Sequence, residues 1–105
     1  MDRLAMLNEI LSQNPDDAFA RYGLAMEYSK AGEVARALQE FQKLLTANPD
    51  YAAAYFMAAQ TLTRASRNEE AKKMLEDGIL AAKRSRNAHA QSEMEAMLQD
   101  LQQQI

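Results

Sequence analysis

The 105-residue sequence has no cysteine and no tryptophan, a single histidine, two prolines and three glycines. Without cysteine, neither disulfides nor thiolate chemistry is available, and the redox compartment is left open. His89 has no second ligand type near it at metal-binding spacing, so no metal site is expected. No apolar run approaches the roughly 18 to 20 residues that span a bilayer. The stretch Met1 to Glu9 lacks the uninterrupted apolar core of a secretory signal. The expectation is a cytoplasmic protein with no membrane partner. A net charge of −3 gives no electrostatic reason to expect nucleic acid. There is no glycine-rich phosphate loop, no nucleophile beside a base and no carboxylate pair in an identifiable pocket. Neither an enzyme nor a cofactor is expected.

What is present is alanine-rich and amphipathic. Hydrophobic residues make up 48% of the chain and charged residues 26%, the balance of a folded chain rather than a disordered one. So few glycines and prolines favour helix over sheet. The organising signal is an echo: Asn14-Pro15-Asp16 recurs as Asn48-Pro49-Asp50, 34 residues on. A recurrence at that period points to a helical repeat array. Ala18, Ala20, Ala25, Ala31 and Ala37 recur at the same spacing as Ala52, Ala54, Ala59, Ala65 and Ala71. Small residues at fixed places imply close approach of helices, because a larger side chain would push neighbours apart.

Taken in order, Asp2 can cap a helix from about Arg3 to Gln13 whose apolar stripe is Leu4, Leu7, Ile10 and Leu11. Shifted by 34 this stripe becomes Leu38, Phe41, Leu44 and Leu45, so the first helix reads as the second half of a repeat. Pro15 stops it at Asn14, and Asp16 or Asp17 caps the next helix, about Ala18 to Ala31. That helix has two apolar faces, one of Leu24, Ala25 and Tyr28 and one of Phe19, Tyr22 and Met26, which is more than a surface helix needs. Gly23 in its middle serves close packing or is tolerated. Gly32 suits the left-handed residue that reverses the chain, and Ser66 takes its place in the second unit. A partner helix runs from about Val34 to Ala47. Asn68 is placed to cap a helix from about Glu69 to Arg84 or Arg86, and a last helix covers about Ala88 to Gln103. Its Met94, Met97, Leu98 and Leu101 lie on one side and polar residues on the other, as on a terminal cap.

These residues resemble the tetratricopeptide repeat. The matches are Leu24-Ala25, Tyr28, Gly32, Ala37, Phe41 and Pro49 in one unit, then Tyr55, Ala58-Ala59, Leu62, Ala71, Leu75 and Gly78 in the next. Arg21 departs by standing where a large aromatic is usual. Leu44 stands where a small residue is usual, with Ala58 making room for it, and Lys83 replaces the closing proline. The resemblance implies an all-α fold: a short right-handed α-solenoid of about six helices in antiparallel pairs with a C-terminal capping helix. The expected organisation is one domain over 1–105, with a half repeat (1–15), two repeats (16–49 and 50–84) and the cap (87–105).

In the family, the first helices of successive units line a concave groove that takes a peptide. Carried over, the groove positions are Phe19, Tyr22, Met26, Ser29 and Lys30, then Ala53, Phe56, Gln60, Thr63 and Arg64. The alternative is that the last helix folds over them and makes them core. Members that clamp a C-terminal carboxylate carry cations and asparagine where this chain has Tyr22, Met26, Ala53 and Met57, so the expected partner is a protein or peptide of apolar or mixed character. Residues 64–86 hold seven basic against four acidic side chains, which reads as a solvated face rather than a docking edge. The second functional reading is a homo-oligomer built through the last helix.

Overall fold

The computed structural model describes residues 2–104. Six α-helices account for almost all of them: α1 (Arg3–Gln13), α2 (Ala18–Lys30), α3 (Val34–Ala47), α4 (Ala52–Arg64), α5 (Asn68–Arg84) and α6 (Ala88–Gln102). Two kinds of turn alternate between them. At the Asn-Pro-Asp turns, the Asn14 and Asn48 amides donate to Ile10 and Leu44, and the Asp17 and Tyr51 amides donate back to Asn14 and Asn48. The other kind ends α2, α4 and α5 with a residue at positive φ: Gly32 (77°), Ser66 (61°) and Arg86 (58°). Glu33 N–H then reaches Tyr28 C=O at 2.9 Å, Arg67 reaches Leu62 at 2.9 Å and Asn87 reaches Ala82 at 2.8 Å. The same helix-ending motif is thus built three times, though only the first copy has the glycine that adopts it without strain.

Caps set the remaining boundaries. Asp2, Asp17 and Asn87 accept from the amides of Ala5, Ala20 and Ala90 at 2.7, 2.9 and 3.1 Å. Asn68, expected as a cap, is instead the first residue of α5, and Arg67 precedes it with no side-chain cap bond. The cause is the turn, which closes one residue early when Arg67 N–H bonds Leu62. The Arg67 guanidinium grips Glu70 with two bonds of 2.6 and 2.8 Å.

Three apolar clusters follow one another along the chain. Leu7 and Leu11 meet Ala20 and Leu24 between α1 and α2. Ala25, Ala37, Phe41, Leu44, Leu45, Ala54 and Ala58 join α2, α3 and α4. Ala59, Leu62, Ala71, Leu75, Ile79, Met94 and Leu101 join α4, α5 and α6. Leu44 and Ala58 do lie together, as the exchange of bulk predicts. Because α1 packs on α2 alone, Ile10 is 37% exposed while its equivalent Leu44 is 1% exposed.

The array bends in a definite sense. The odd helices α1, α3 and α5 do not touch one another, whereas α2 touches α4 and α4 touches α6. The even helices therefore form the inner, concave row. An 18 Å short dimension against 42 Å of length is the thickness of two helix layers.

One departure from the repeat is explained by a paired exchange. Arg21 donates to Glu40 at 2.6 Å and to the Pro15 carbonyl at 3.0 Å. In the next unit Tyr55, 34 residues on, donates to the Pro49 carbonyl at 2.7 Å. Met74 takes the place of Glu40 there. Arginine with glutamate in one unit thus does what tyrosine with methionine does in the other. Glu40→Met alone strands Arg21, whose side chain is only 18% exposed, and is expected to cost about 1–3 kcal/mol. Adding Arg21→Tyr is expected to restore most of that in urea denaturation, and no recovery would refute the exchange.

Candidate concave interaction site

The inner row brings the candidate residues to one face. Phe19 is 75% exposed, and Lys30, Ala53 and Arg64 are also exposed. Tyr22, Met26, Phe56, Gln60 and Thr63 are half-buried. The α6 helix does not lie over them. It rests against α5 and α4, using Met94 and Leu101 as its buried side and taking Phe56 as a partial neighbour. It thereby extends the row instead of closing it.

Two depressions share Tyr22 as a common wall. One, of roughly 430 Å³, is lined by Phe19, Tyr22, Met26 and Lys30 with Arg3 reaching over from α1. The other, of roughly 270 Å³, is lined by Tyr22, Ala53, Phe56 and Met57 with Asn87, His89 and Glu93 of α6. Tyr22 meets Tyr51 with ring centroids 5.5 Å apart and planes tilted by 37°. Burial, and secondarily the neighbouring Tyr51, raise the Tyr22 pKa above the ordinary phenol value. At neutral pH its hydroxyl is an uncharged donor and acceptor on an apolar wall.

Ser29 is placed differently from its companions. It is 7% exposed, and its hydroxyl meets that of Thr61 at 2.7 Å across the α2–α4 contact. Arg64 Nη2 donates to the same Ser29 oxygen at 2.7 Å. Ser29 therefore supports the face from beneath. Thr63 turns its hydroxyl onto the Ala59 carbonyl at 2.8 Å, so it presents mainly its methyl group.

Residues that sequence reasoning left out also line this face. Tyr51 occupies the N-cap position of α4, where no helical pattern points to it. Asn87, His89 and Glu93 belong to the helix that has lost the 34-residue pattern. Arg3 is brought in by its bond to Glu27 at 2.8 Å. His89 lies 3.4 Å from Glu93 with its side chain 86% exposed, and no group of three or more His, Asp or Glu that could hold a metal occurs among the described residues.

On the outer side, crevices of roughly 350 and 460 Å³ run between α3 and α5. Their charged rims are largely self-paired, through Lys72–Glu69, Lys73–Asp77 and Arg84–Asp50 at 3.1, 2.9 and 2.6 Å. This is how the basic stretch 64–86 is mostly accounted for: its charges pair at a solvated surface.

Comparison with known proteins agrees with this architecture. Residues 28–101 match the family model of the tetratricopeptide repeat. A tetratricopeptide-repeat-containing protein of Pseudomonas aeruginosa is 27% identical over 95 residues, covering 90% of each chain. A tetratricopeptide repeat domain protein of Salinibacter ruber, solved in solution, is 30% identical over 84% of this chain and 89% of its own, with a TM-score of 0.78. The solution structure of a Bordetella parapertussis protein superposes with a TM-score of 0.83 at 23% identity, over 96% of this chain and 88% of its own, a likeness of fold. With its two consecutive units joined by alternating turns, this chain belongs to the tetratricopeptide repeat family.

Proposed function

We propose that the α2–α4–α6 face is a groove that holds a peptide or a segment of a partner protein, without chemistry, in the cytoplasm of a bacterium. The observation that carries this reading is the aromatic wall. Phe19, Tyr22 and Phe56 are all at least partly exposed on the concave side, although the chain has apolar cores enough to bury them. Exposed aromatics grouped with a few polar side chains are a usual interaction surface. The family as a whole consists of protein-interaction modules, which supports the same reading. Phe19, Tyr22 and Phe56 supply buried area on binding, while Gln60, Lys30 and Arg64 set register.

Self-association through α6 has less support. Its apolar side is spent within the chain, with Met94 at 0% and Leu101 at 3% exposure. Counted from the helix caps, Glu95 also falls where α2 and α4 carry Ala25 and Ala59, which are wholly buried. A glutamate there resists the packing of a further helix.

A pull-down from native lysate, comparing the protein with a folded Tyr22→Ser/Phe56→Ser variant, tests the groove. Capture of a partner by the unaltered protein and its loss from the variant is the expected result. Equal capture by both would move the site elsewhere, and capture only of further copies of the chain would favour self-assembly.

A further inference from the structure

Resting on the groove reading above, we propose that Arg64 and Lys30 form a carboxylate-binding subsite at one end of the groove, taking an Asp or Glu side chain within a bound peptide. The two cations are 34 residues apart, so they occupy the same place on the last turn of α2 and of α4. They differ from the other cations of the molecule in their partners. Arg3, Arg21, Arg36, Lys43, Arg67, Lys72, Lys73 and Arg84 each lie within 3.6 Å of a carboxylate. Arg64 has no carboxylate partner among the described residues, and Lys30 is 3.9 Å from Glu27, which Arg3 already holds at 2.8 Å.

Arg64 is nonetheless aimed. Thr61 donates to the Met57 carbonyl at 2.8 Å, which leaves its oxygen to accept from Ser29 at 2.7 Å. The Ser29 oxygen in turn accepts from Arg64 Nη2 at 2.7 Å. The donors run one way along this chain, from guanidinium to Ser29 to Thr61 to backbone, and both hydroxyls are buried. A one-way chain of this kind strengthens each member and fixes the guanidinium over the α2–α4 seam, with most of its five N–H donors still unused.

The plainer account is that cations at helix C-termini offset the helix dipoles. It does not explain the geometry of Arg64, which crosses to α2 instead of bonding the last carbonyls of α4. Those carbonyls already accept from backbone: Thr61 and Leu62 from Ala65, and Thr63 from Ser66. An oriented guanidinium without a counter-charge, beside a nearly unpaired ammonium, is complementary to a carboxylate. Met26 and Phe56, half-buried on the same two helices, would receive apolar neighbours of that acid. The turns beyond, Ala31-Gly32 and Ser66-Arg67, are exposed, except for half-buried Ala65, and leave a peptide room to continue. An internal acid fits this better than a chain terminus.

The test is selection of random short peptides displayed on phage against the full chain, in one format with a free C-terminus and one without. Peptides recovered in the format without a free C-terminus are expected to be enriched in Asp or Glu next to an aromatic or aliphatic residue. For a synthetic peptide of that set, fluorescence anisotropy should show an affinity loss of roughly ten- to hundredfold on Arg64→Gln/Lys30→Gln. Changing the peptide's acid to its amide should cause a similar loss on the unaltered protein and little further loss on the variant. Ser29→Ala, which keeps both charges but removes the bond that aims Arg64, should cost a smaller, few-fold loss. Binders that depend on Tyr22 and Phe56 but show no acid preference would overturn the subsite and leave the groove standing. Acid selection confined to free C-termini would overturn the assignment to an internal side chain. Failure to recover any peptide dependent on Tyr22 and Phe56 would overturn the groove and the subsite together.

Discussion

Phe41→Ala is expected to destabilise the protein by about 3–5 kcal/mol. Phe41 is 1% exposed and sits where α2, α3 and α4 meet, among Ala25, Ala37, Leu44, Ala54 and Ala58. Several of its neighbours are alanines, whose side chains cannot swing in to fill the space. Removing the ring therefore leaves a cavity instead of a repacked core, and the cost falls toward the upper part of the range. For a domain whose total stability is on the order of 5–15 kcal/mol, the variant is barely folded or unfolded at room temperature. Urea titration followed by far-UV circular dichroism measures this directly. A loss below about 1 kcal/mol would mean that the three helices are not joined there.

The second large effect is at Gly78. A Cβ added there would lie 2.5 Å from Met94 Sδ and 2.6 Å from Tyr55 Cβ. The methionine tip can move aside, but Tyr55 Cβ is fixed to the backbone of α4, so the helices themselves must separate. Gly78→Ala is expected to cost about 1–3 kcal/mol, even though alanine in mid-helix is intrinsically better than glycine by about 1 kcal/mol. Gly23 provides the contrast. Its added Cβ would come 3.1 Å from Leu7 Cδ2, the end of a flexible side chain. Gly23→Ala should therefore be near neutral or stabilising. Thermal unfolding of the two variants side by side tests the distinction, and equal behaviour would contradict it.

These two glycines show how far the sequence alone could be read. Gly78 was recognisable from the repeat, because it restores the small residue that Leu44 replaces in the first unit. Its reason, α6 pressing Met94 onto α5 beside Tyr55, was not recognisable, since α6 has lost the 34-residue pattern. The helix order and nearly all helix boundaries were legible because the Asn-Pro-Asp turns and the recurring alanines mark positions that backbone geometry and close packing both restrict. The exception at Asn68 arose because the turn motif closed one residue earlier than the capping preference suggested.

The candidate face was legible only as a helical stripe. Periodicity places Phe19, Tyr22, Met26 and Phe56 on one side of their helices, yet it cannot show that Ser29 on the same stripe is turned inward to Thr61. Such cross-helix hydroxyl pairs depend on how two helices sit against each other, which no local pattern encodes. For the same reason, Arg21 and Glu40 looked unrelated in sequence and are 2.6 Å apart in the fold. The contributions of Tyr51 and of Asn87, His89 and Glu93 lie outside any repeat unit's stripe.

The central claim is that the concave row is the working surface. The most direct measurement is amide hydrogen–deuterium exchange of the full chain, alone and with the partner obtained by pull-down. Slower exchange on binding confined to α2, α4 and the first half of α6, with the outer helices α3 and α5 unchanged, is the result expected. Protection centred on the α3–α5 crevices, with α2 and α4 unaffected, would contradict it.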